Sequence, residues 1–278
     1  MSRYEEAVPD VPPADLTLTE RIRDAANVIL RGGGTDWRQA ILTAGASLEV
    51  SDPLRLLGND AAGNWLWLGD WPTSERALDV GGGPGDTTAA LSSLFREVEY
   101  LDHDSAWVEF ARHRFGSRAS PRVRQGGVEL VSGQPGSFGC ISITATTRRP
   151  DSESAGMLAD CHRLLAPDGL LRLIPRIPLK QEGASRIRTL VDQVISGELT
   201  QRAWGLALRQ AGYRPLGTYY AEPSLSYPYY LMPGNRRAVR AAERLHDDHL
   251  AGGRSRGWIV RAGLHGALYR HYFLLATK

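Results

Sequence analysis

A run of glycines after a short apolar segment is the feature of this sequence with the clearest chemical potential. The acidic residue Asp79 is followed by glycines at positions 81, 82, 83 and 85, and a helical pattern begins directly afterwards. Glycine lets the backbone turn sharply and lets a ligand approach without a clash against a side chain. Free N–H groups at the start of a helix attract an anion or a carboxylate. The run therefore predicts a ligand-binding loop between a strand and a helix.

The spacing of these glycines discriminates between two kinds of ligand. A dinucleotide-binding loop has the pattern Gly-x-Gly-x-x-Gly, and Asp86 stands where its third glycine belongs. The pattern present is acidic-x-Gly-x-Gly-x-Gly, made by Asp79, Gly81, Gly83 and Gly85. A nicotinamide-dependent oxidoreductase is therefore the weaker of the two interpretations.

A second carboxylate, Asp102, ends another apolar segment about 20 residues further on, the usual distance to an acidic residue that binds ribose. A carboxylate at the end of a strand accepts hydrogen bonds from both ribose hydroxyls. Residues 102–104 also fit an ordinary solvated turn. Together with the glycine loop, the position of Asp102 favours ligand binding.

Short apolar runs alternate with amphipathic stretches from residue 76 onwards, which predicts βαβ units and a parallel sheet covered by helices on both faces. A turn is expected at 166–169, directly after the helix predicted at 151–165. Before this region, helical spacing or aromatic content predicts helices at 16–30, 36–46 and 64–71. The predicted strands are 76–81, 98–102, 121–126, 138–145, 170–176, 213–220 and 272–277, and the predicted later helices are 86–95, 105–115, 151–165 and 199–211.

The glycine loop, Asp102 and the segment 161–171 resemble motifs of the class I S-adenosylmethionine-dependent methyltransferases. The resemblance covers about residues 76–221 and 270–278. It implies an α/β fold with a doubly wound, Rossmann-like, seven-stranded and mostly parallel sheet, a helical N-terminal extension and a helical insert before the last strand. The implied divisions are a cap at 1–75, the cofactor-binding core at 76–221, a helical and aromatic cap at 222–269 and the final core strand at 270–278.

The resemblance also implies a cofactor, S-adenosylmethionine, which leaves as S-adenosylhomocysteine. Asp79 and the loop Gly81, Gly82, Gly83 and Gly85 would hold its methionine part. Asp102 would bind the ribose, and the side chain of His103 would lie against the adenine.

The sequence departs from the family pattern where adenine is recognised. Many members have an acidic residue that binds the adenine amino group, and Gly127 stands at that position. Glu129 or the backbone of Val128 would take over this contact. The loop after the fourth strand lacks the Asn-Pro-Pro-aromatic motif of enzymes that methylate nucleic-acid bases, which argues against such acceptors.

Candidate residues for the acceptor lie in that loop and in the insert. We expect Thr144, Arg148, Arg236 and Arg240 to bind an anionic or aromatic acceptor. Methyl transfer to a hydroxyl or an ammonium needs a base, whereas a carboxylate or an imidazole nitrogen needs none. The candidate bases are His246, His249 and Tyr219. The two histidines lie near aspartates, but a solvated helix end explains them better than a metal site, so we predict no metal.

Composition restricts the functional class. The chain has 278 residues, 42% hydrophobic and 23% charged, with a net charge of +2, which does not indicate a nucleic-acid-binding protein. Cys140 and Cys161 lack CxxC spacing and are expected in the core. No apolar run reaches the ~20 residues that cross a bilayer, and the acidic N-terminus lacks a signal pattern, so we expect a cytoplasmic protein without a membrane partner.

The sequence thus predicts an S-adenosylmethionine-dependent methyltransferase. Its expected acceptor is a small molecule or a short peptide, methylated on oxygen or nitrogen in specialised or sugar metabolism, including natural product biosynthesis. Two alternatives stay open: a non-methylating binding or regulatory protein on the same fold, and, less favoured, an NAD(P)-dependent oxidoreductase.

Overall fold

A computed structural model describes most of the chain as helices packed on one sheet. The strands are β1 (Arg76–Val80), β2 (Glu97–Asp102), β3 (Arg122–Gln125), β4 (Phe138–Thr144), β5 (Leu165–Ile174), β6 (Arg214–Pro223), β7 (Pro228–Pro233) and β8 (Tyr272–Thr277). The helices are α1 (Leu18–Arg31), α2 (Trp37–Ser47), α3 (Pro53–Leu56), α4 (Asp86–Leu91), α5 (Ser105–Phe115), α6 (Ser152–Leu164) and α7, described over 200–210, with 3-10 helices at Asp60–Leu68 and Val128–Leu130. The residues described are 17–58, 60–68, 74–116, 119–131, 133–145, 150–175, 200–223, 228–233 and 272–278.

The strands follow the order β3-β2-β1-β4-β5-β8-β6-β7. The first five are parallel to their neighbours, whereas β8 runs antiparallel between β5 and β6. The predicted seven-stranded, mostly parallel sheet is therefore confirmed. An eighth strand, β7, pairs antiparallel with β6 at the edge.

The strand β7 lies inside the insert that was expected to be helical. Its sequence is rich in tyrosine and other large apolar residues, which fit the pleated surface of a sheet. β6 also continues to Pro223, beyond the predicted boundary at 221. The rest of the insert, from 234 to 269, lies outside the described residues.

Local capping signals fix the two N-terminal helices. The Thr17 side chain accepts a hydrogen bond from the backbone N–H of Glu20, whose carboxylate accepts one from the N–H of Thr17, so α1 begins with a capping box. The side chain of Asp36 caps α2 in the same way, by accepting from Arg38 N–H. Both helices lie within two residues of the predicted ranges. A 3-10 helix at 60–68 stands where an aromatic helix was predicted at 64–71, and residues 69–71 lie outside the described residues.

The N-terminal helices pack on α5 of the core. Arg23 forms an ion pair with Asp104 at 2.6 Å, and the Asn27 amide donates to the carbonyl oxygen of Ala106 at 2.9 Å. Apolar side chains of α1 and α2, among them Ile22, surround the buried Phe110 ring. This extension therefore contacts the core beside the end of β2.

The turn expected at 166–169 is a bulge within β5. α6 ends at Leu164 and β5 begins with the next residue. Phe138 pairs with Leu165 and Cys140 pairs with Leu170, so β5 carries extra residues at this point. Pro167 lacks an N–H to donate to the neighbouring strand, which explains why the pairing is interrupted here.

The two faces of the sheet carry separate apolar clusters. One cluster joins alternate strand residues such as Leu78 to the buried Trp204 and to α6, and it includes Cys161. The other cluster joins Cys140 to Trp65 of the first 3-10 helix. Both cysteines are free and buried, as predicted. Within the described ranges, no helix is both long and apolar enough to span a membrane.

Candidate active site

The glycine loop connects β1 to α4, and its backbone requires glycine at alternate positions. Gly81, Gly83 and Gly85 have φ angles of +69°, +50° and +80°. Residues with a Cβ adopt this left-handed region only at a cost, so the observed spacing is a backbone requirement. The N–H of Gly81 donates to the carbonyl oxygen of Leu101 at 2.8 Å, which fastens the loop to the end of β2.

The three glycines face different surroundings. A Cβ on Gly81 would lie 2.7 Å from the carbonyl oxygen of Thr144, and one on Gly85 would lie 2.9 Å from the Phe115 ring. A Cβ on Gly83 would meet no atom within 4 Å. Two of the glycines are therefore needed for packing, whereas Gly83 borders open space where a ligand can approach the backbone.

Asp102 joins the second strand to the glycine loop. Its Oδ2 accepts a hydrogen bond from the N–H of Gly83, and its Oδ1 accepts one from the N–H of Asp104, both at 2.9 Å. The Tyr100 hydroxyl donates to the carbonyl oxygen of Gly83 at 2.8 Å. A carboxylate has about four lone-pair positions, so Asp102 can still accept two hydroxyl groups of a ribose.

The three positions predicted to surround adenine come together in space. The Gly127 N–H donates to Glu129 Oε1 at 3.0 Å. A Cβ on Gly127 would lie 2.5 Å from Glu129 Oε2 and 3.0 Å from His103 Nε2. The carboxylate of Glu129 thus lies where an acidic side chain at 127 would begin, beside the exposed His103, while Val128 is buried in the core.

Asp79 lies beneath the loop and is 1% exposed. The Thr88 hydroxyl donates to its Oδ2 at 2.6 Å. Burial raises the pKa of Asp79 to about 6, although Thr88 and the positive charge of Arg172 favour its ionised form. The Asp79 carboxylate is covered by the loop backbone and bonded to Thr88. Its direct contact with the methionine part of the cofactor therefore stays a prediction.

Asp86, at the position of the missing third glycine, forms a buried ion pair. Its Oδ1 lies 2.5 Å from an Arg114 nitrogen, which also donates to the carbonyl oxygen of Pro84. The Arg114 guanidinium lies 4.5 Å from the ring centre of Trp37 on α2. This pair fixes the end of the loop, and no spacing in the sequence indicated that these distant residues meet.

Thr144 and Tyr219 lie at the same edge of the sheet as the glycine loop. Thr144 is exposed at the end of β4 and pairs with Ile174. Tyr219 pairs with Phe273, and the two rings stack with centres 5.6 Å apart and planes at 12°. The other predicted acceptor and catalytic residues, Arg148, Arg236, Arg240, His246 and His249, lie outside the described residues.

Sequence reasoning missed Arg172, a buried arginine on β5. It is 2% exposed, and its guanidinium lies 4.6 Å from the Trp65 ring centre and 5.1 Å from that of Phe273. One of its nitrogens donates to the Thr87 hydroxyl at 3.2 Å. The signal available in the sequence was a single arginine inside the apolar run 170–174.

These features fit S-adenosylmethionine. The open space at Gly83 and the α4 N-terminus accommodate the methionine part, and the remaining lone pairs of Asp102 suit a ribose. The carboxylate of Glu129 can accept from an adenine amino group. In the described part of the chain, no cluster of three or more histidine, cysteine or acidic side chains is arranged to hold a metal ion.

Solved structures that resemble the chain are remote. A putative sarcosine dimethylglycine methyltransferase from Galdieria sulphuraria is 14% identical, covers 90% of each chain and has a TM-score of 0.46. A geranyl diphosphate methyltransferase solved with S-adenosylmethionine is 14% identical, with 78% of this chain and 84% of that chain covered and a TM-score of 0.47. A phosphoethanolamine N-methyltransferase 2 from Haemonchus contortus is 14% identical, with 79% of this chain and 52% of that chain covered and a TM-score of 0.46. Likenesses this distant say nothing about the acceptor of this chain.

The comparison by sequence is more direct for the core. No curated protein matches the chain significantly. Residues 77–169 match the model of a family described as a methyltransferase domain. These residues run from β1 into the bulge of β5, so they include the glycine loop, Asp102 and Glu129. Residues 77–169 therefore form a methyltransferase domain.

Proposed function

We propose that the chain is a class I S-adenosylmethionine-dependent methyltransferase, and that it methylates an oxygen or nitrogen atom of a small molecule or a short peptide in specialised or sugar metabolism. When bound, the cofactor supplies a methyl group on a positively charged sulfur. The protein has to bind the cofactor, place the acceptor in line with that methyl group and keep water away. The proposal includes a role in natural product biosynthesis in the cytoplasm, without a nucleic-acid or membrane partner.

One observation carries the cofactor part of the proposal. The Asp102 carboxylate accepts from the Gly83 N–H at 2.9 Å, so the acidic end of β2 and the open part of the glycine loop form one surface. Here Asp102 binds the ribose hydroxyls, the loop and the α4 N-terminus hold the methionine part, and Asp79 supplies negative charge from beneath. His103 and Glu129 lie against the adenine.

The acceptor is placed along the same edge of the sheet. Thr144, at the end of β4, and Tyr219, stacked on Phe273, mark the part of the edge beyond the glycine loop. Aromatic walls suit an aromatic acceptor, and fixed alignment supplies much of the rate enhancement in a displacement reaction. Arg148, Arg236 and Arg240 are proposed to bind an anionic group on the acceptor.

Proton removal depends on the acceptor. A hydroxyl or ammonium must lose a proton as its bond to the methyl group forms, and Tyr219, His246 and His249 are the proposed bases. A carboxylate or a neutral imidazole nitrogen already has a free lone pair, and then these residues only position the acceptor.

The caps are proposed to close the acceptor side. The contact of α1 with α5 through Arg23 and Asp104 supports this role for residues 1–75, because it places the extension beside the ribose-binding end of β2. The insert at 222–269 is proposed to contribute from the other end of the sheet, where β7 extends β6.

Calorimetry with S-adenosylhomocysteine tests the cofactor site. Asp102→Ala removes the carboxylate, and hydrogen bonds to a charged group contribute about 1.5–3 kcal/mol each, so we expect the affinity to fall at least tenfold. The matched control is Asp160→Ala, which removes an exposed carboxylate on α6 and should bind normally. Unchanged binding by the Asp102 variant would contradict the proposed site.

Product release tests the acceptor class. Formation of S-adenosylhomocysteine is measured with panels of hydroxyl, amine, carboxylate and short-peptide acceptors. Once an acceptor is found, Tyr219→Phe keeps the ring stack and removes only the hydroxyl. A base at Tyr219 predicts a large fall in kcat with an altered pH profile, whereas an unchanged profile removes Tyr219 from that role.

A further inference from the structure

Polar side chains from three neighbouring strands form one buried row beneath the glycine loop. Asp79 on β1 pairs with Ser142 on β4, and Ser142 pairs with Arg172 on β5. Residues in register on adjacent strands point to the same face, about 5 Å from one another. Their exposed fractions are 1%, 0% and 2%. Two opposite charges and a hydroxyl are therefore buried side by side.

The surroundings of Arg172 hold its guanidinium in one place. The rings of Trp65 and Phe273 contact it, and its bond to Thr87 reaches the first turn of α4, directly after the loop. Burial lowers its pKa to about 10, while the negative charge of Asp79 opposes that change. Arg172 is therefore a cation at neutral pH, and Asp79 is the carboxylate that acts on it.

The same row contains polar atoms without a hydrogen-bond partner among the described residues. They are Asp79 Oδ1, Ser142 Oγ and the Arg172 Nε. Leaving a buried polar atom unpaired costs about 1–3 kcal/mol, and apolar residues of similar shape in this row would stabilise the fold at least as well. The row instead brings the negative charge of Asp79 and the positive charge of Arg172 close enough to interact across the sheet, with the Ser142 hydroxyl between them.

We propose that Arg172 is a positioning residue of the cofactor site, whose positive charge, together with the Ser142 hydroxyl that lies between them, holds the Asp79 carboxylate ionised and oriented beneath the glycine loop. The inference rests on the proposed binding of the cofactor at that loop. A Cβ on Gly82 would lie 3.1 Å from Asp79 Oδ2, so the carboxylate lies directly under the loop backbone. Negative charge there attracts the ammonium of the methionine part.

The other groups that face Asp79 do not replace Arg172. Asp102 is a like charge that disfavours ionisation of Asp79, and the hydroxyls of Thr88 and Ser142 favour it but carry no charge. Burial raises the pKa values of the Tyr100 hydroxyl and the Cys140 thiol, so both stay neutral near pH 7. Arg172 is the positive charge that acts most strongly on Asp79.

The test measures S-adenosylhomocysteine binding by calorimetry between pH 5.5 and 8.5. In the wild type, affinity should fall as the pH drops below about 6, because Asp79 becomes protonated. Arg172→Met should move this midpoint upward by about one unit or more and weaken binding about threefold or more at pH 6.5, with recovery by pH 8.5. Arg172→Lys should keep the wild-type midpoint, since it keeps the charge.

Arg76→Met is the matched control. Arg76 also contacts an aromatic ring, with its guanidinium 4.3 Å from the centre of Phe138, and it pairs with the buried Glu99 at 2.7 Å, but it lies at the opposite end of β1 from the loop. Loss of this arginine should reduce stability without moving the midpoint.

Ser142→Ala provides a second test that leaves both charges in place, and it serves alone if Arg172→Met does not fold. We expect a smaller upward shift of the midpoint. An unchanged midpoint in folded Arg172→Met, or in Ser142→Ala, would overturn the positioning role. A wild-type protein that binds no S-adenosylhomocysteine would instead overturn the proposed cofactor site.

Discussion

The two sides of the glycine loop treat buried charge differently. On the side of α5, Asp86 and Arg114 contact each other directly at 2.5 Å, and the same arginine bonds to the loop at Pro84. On the side of β4 and β5, Asp79 and Arg172 lie in one register row with Ser142 between them, and each keeps a polar atom without a partner among the described residues.

The difference separates anchoring from function. A direct buried ion pair fixes the loop end, because removal of either partner leaves an uncompensated charge. A row with incomplete hydrogen bonding stabilises the fold less, and such local violations of good packing are expected where a protein carries out its function. We therefore assign a structural role to the α5 side and a ligand-directed role to the β4–β5 side.

The largest effect is expected from Arg114→Met. This variant removes the only arginine in the pair and leaves the Asp86 charge buried without it, so the free energy of unfolding in urea should fall by about 3–5 kcal/mol. The pH midpoint of S-adenosylhomocysteine binding should stay that of the wild type. Arg31→Met is the control, since Arg31 pairs with Glu109 at the surface and should leave the stability unchanged. A shifted midpoint in the Arg114 variant would break the proposed distinction between the two sides.

The next effect concerns Asp79 and pH. Its pKa is raised to about 6 in the folded protein by burial, so the folded state binds a proton more tightly than the unfolded state. The free energy of unfolding should therefore fall as the pH rises from about 4 to about 6, by up to about 3 kcal/mol from this group. Urea unfolding of Asp79→Asn should lack this part of the slope, and parallel curves for the two proteins would contradict it.

Gly83→Ala should affect binding more than stability. The variant places a Cβ in the open space of the loop at a φ of +50°, which costs about 1–2 kcal/mol of strain. Gly33→Ala is the matched control, because Gly33, just after α1, also has a positive φ, of +75°, and a Cβ there would also meet no atom within 4 Å. Both variants should lose similar stability, but only Gly83→Ala should weaken S-adenosylhomocysteine binding, by tenfold or more. Equal binding by both would show that the cofactor does not approach Gly83.

The smallest effect is expected at Glu129. Because the Glu129 carboxylate is exposed to solvent, a single hydrogen bond from adenine to it contributes about 1 kcal/mol, so Glu129→Ala should weaken binding of S-adenosylhomocysteine about fivefold. The inosine analogue lacks the amino group and should bind the wild type and the variant equally. Calorimetry gives each protein's affinity for S-adenosylhomocysteine relative to its affinity for the inosine analogue, and this ratio reports the contact with the amino group alone. If the ratio is the same in the wild type and in Glu129→Ala, the adenine contact is left to the backbone of Val128.

Some parts of the fold were predictable because their signals are local. The capping box of Thr17 and Glu20 specifies the start of α1 within three residues of chain. The alternate glycines of the loop reflect φ angles that other residues avoid. Asp102 was found from its distance to the loop and from its place at the end of an apolar segment.

Other parts depended on long-range pairing and were not predictable. β7 looked like part of a helical insert, because its strand character depends on the edge that β6 offers. The bulge in β5 looked like a turn, since only the register with β4 shows that the strand continues on both sides. Arg172 looked like one more residue of an apolar strand.

By itself, the sequence determined the strand–loop–helix unit around the glycine loop, the alternation that makes an α/β sheet and the boundaries of the capped helices. These depend on backbone preferences that act over a few residues. Only the tertiary structure decided that Glu129 fills the place of a side chain at Gly127, that Arg114 secures Asp86, and that Arg172 lies near Asp79. Thr87 and Arg172 are 85 residues apart, so their meeting depends on the order of strands in the sheet, which no local pattern specifies.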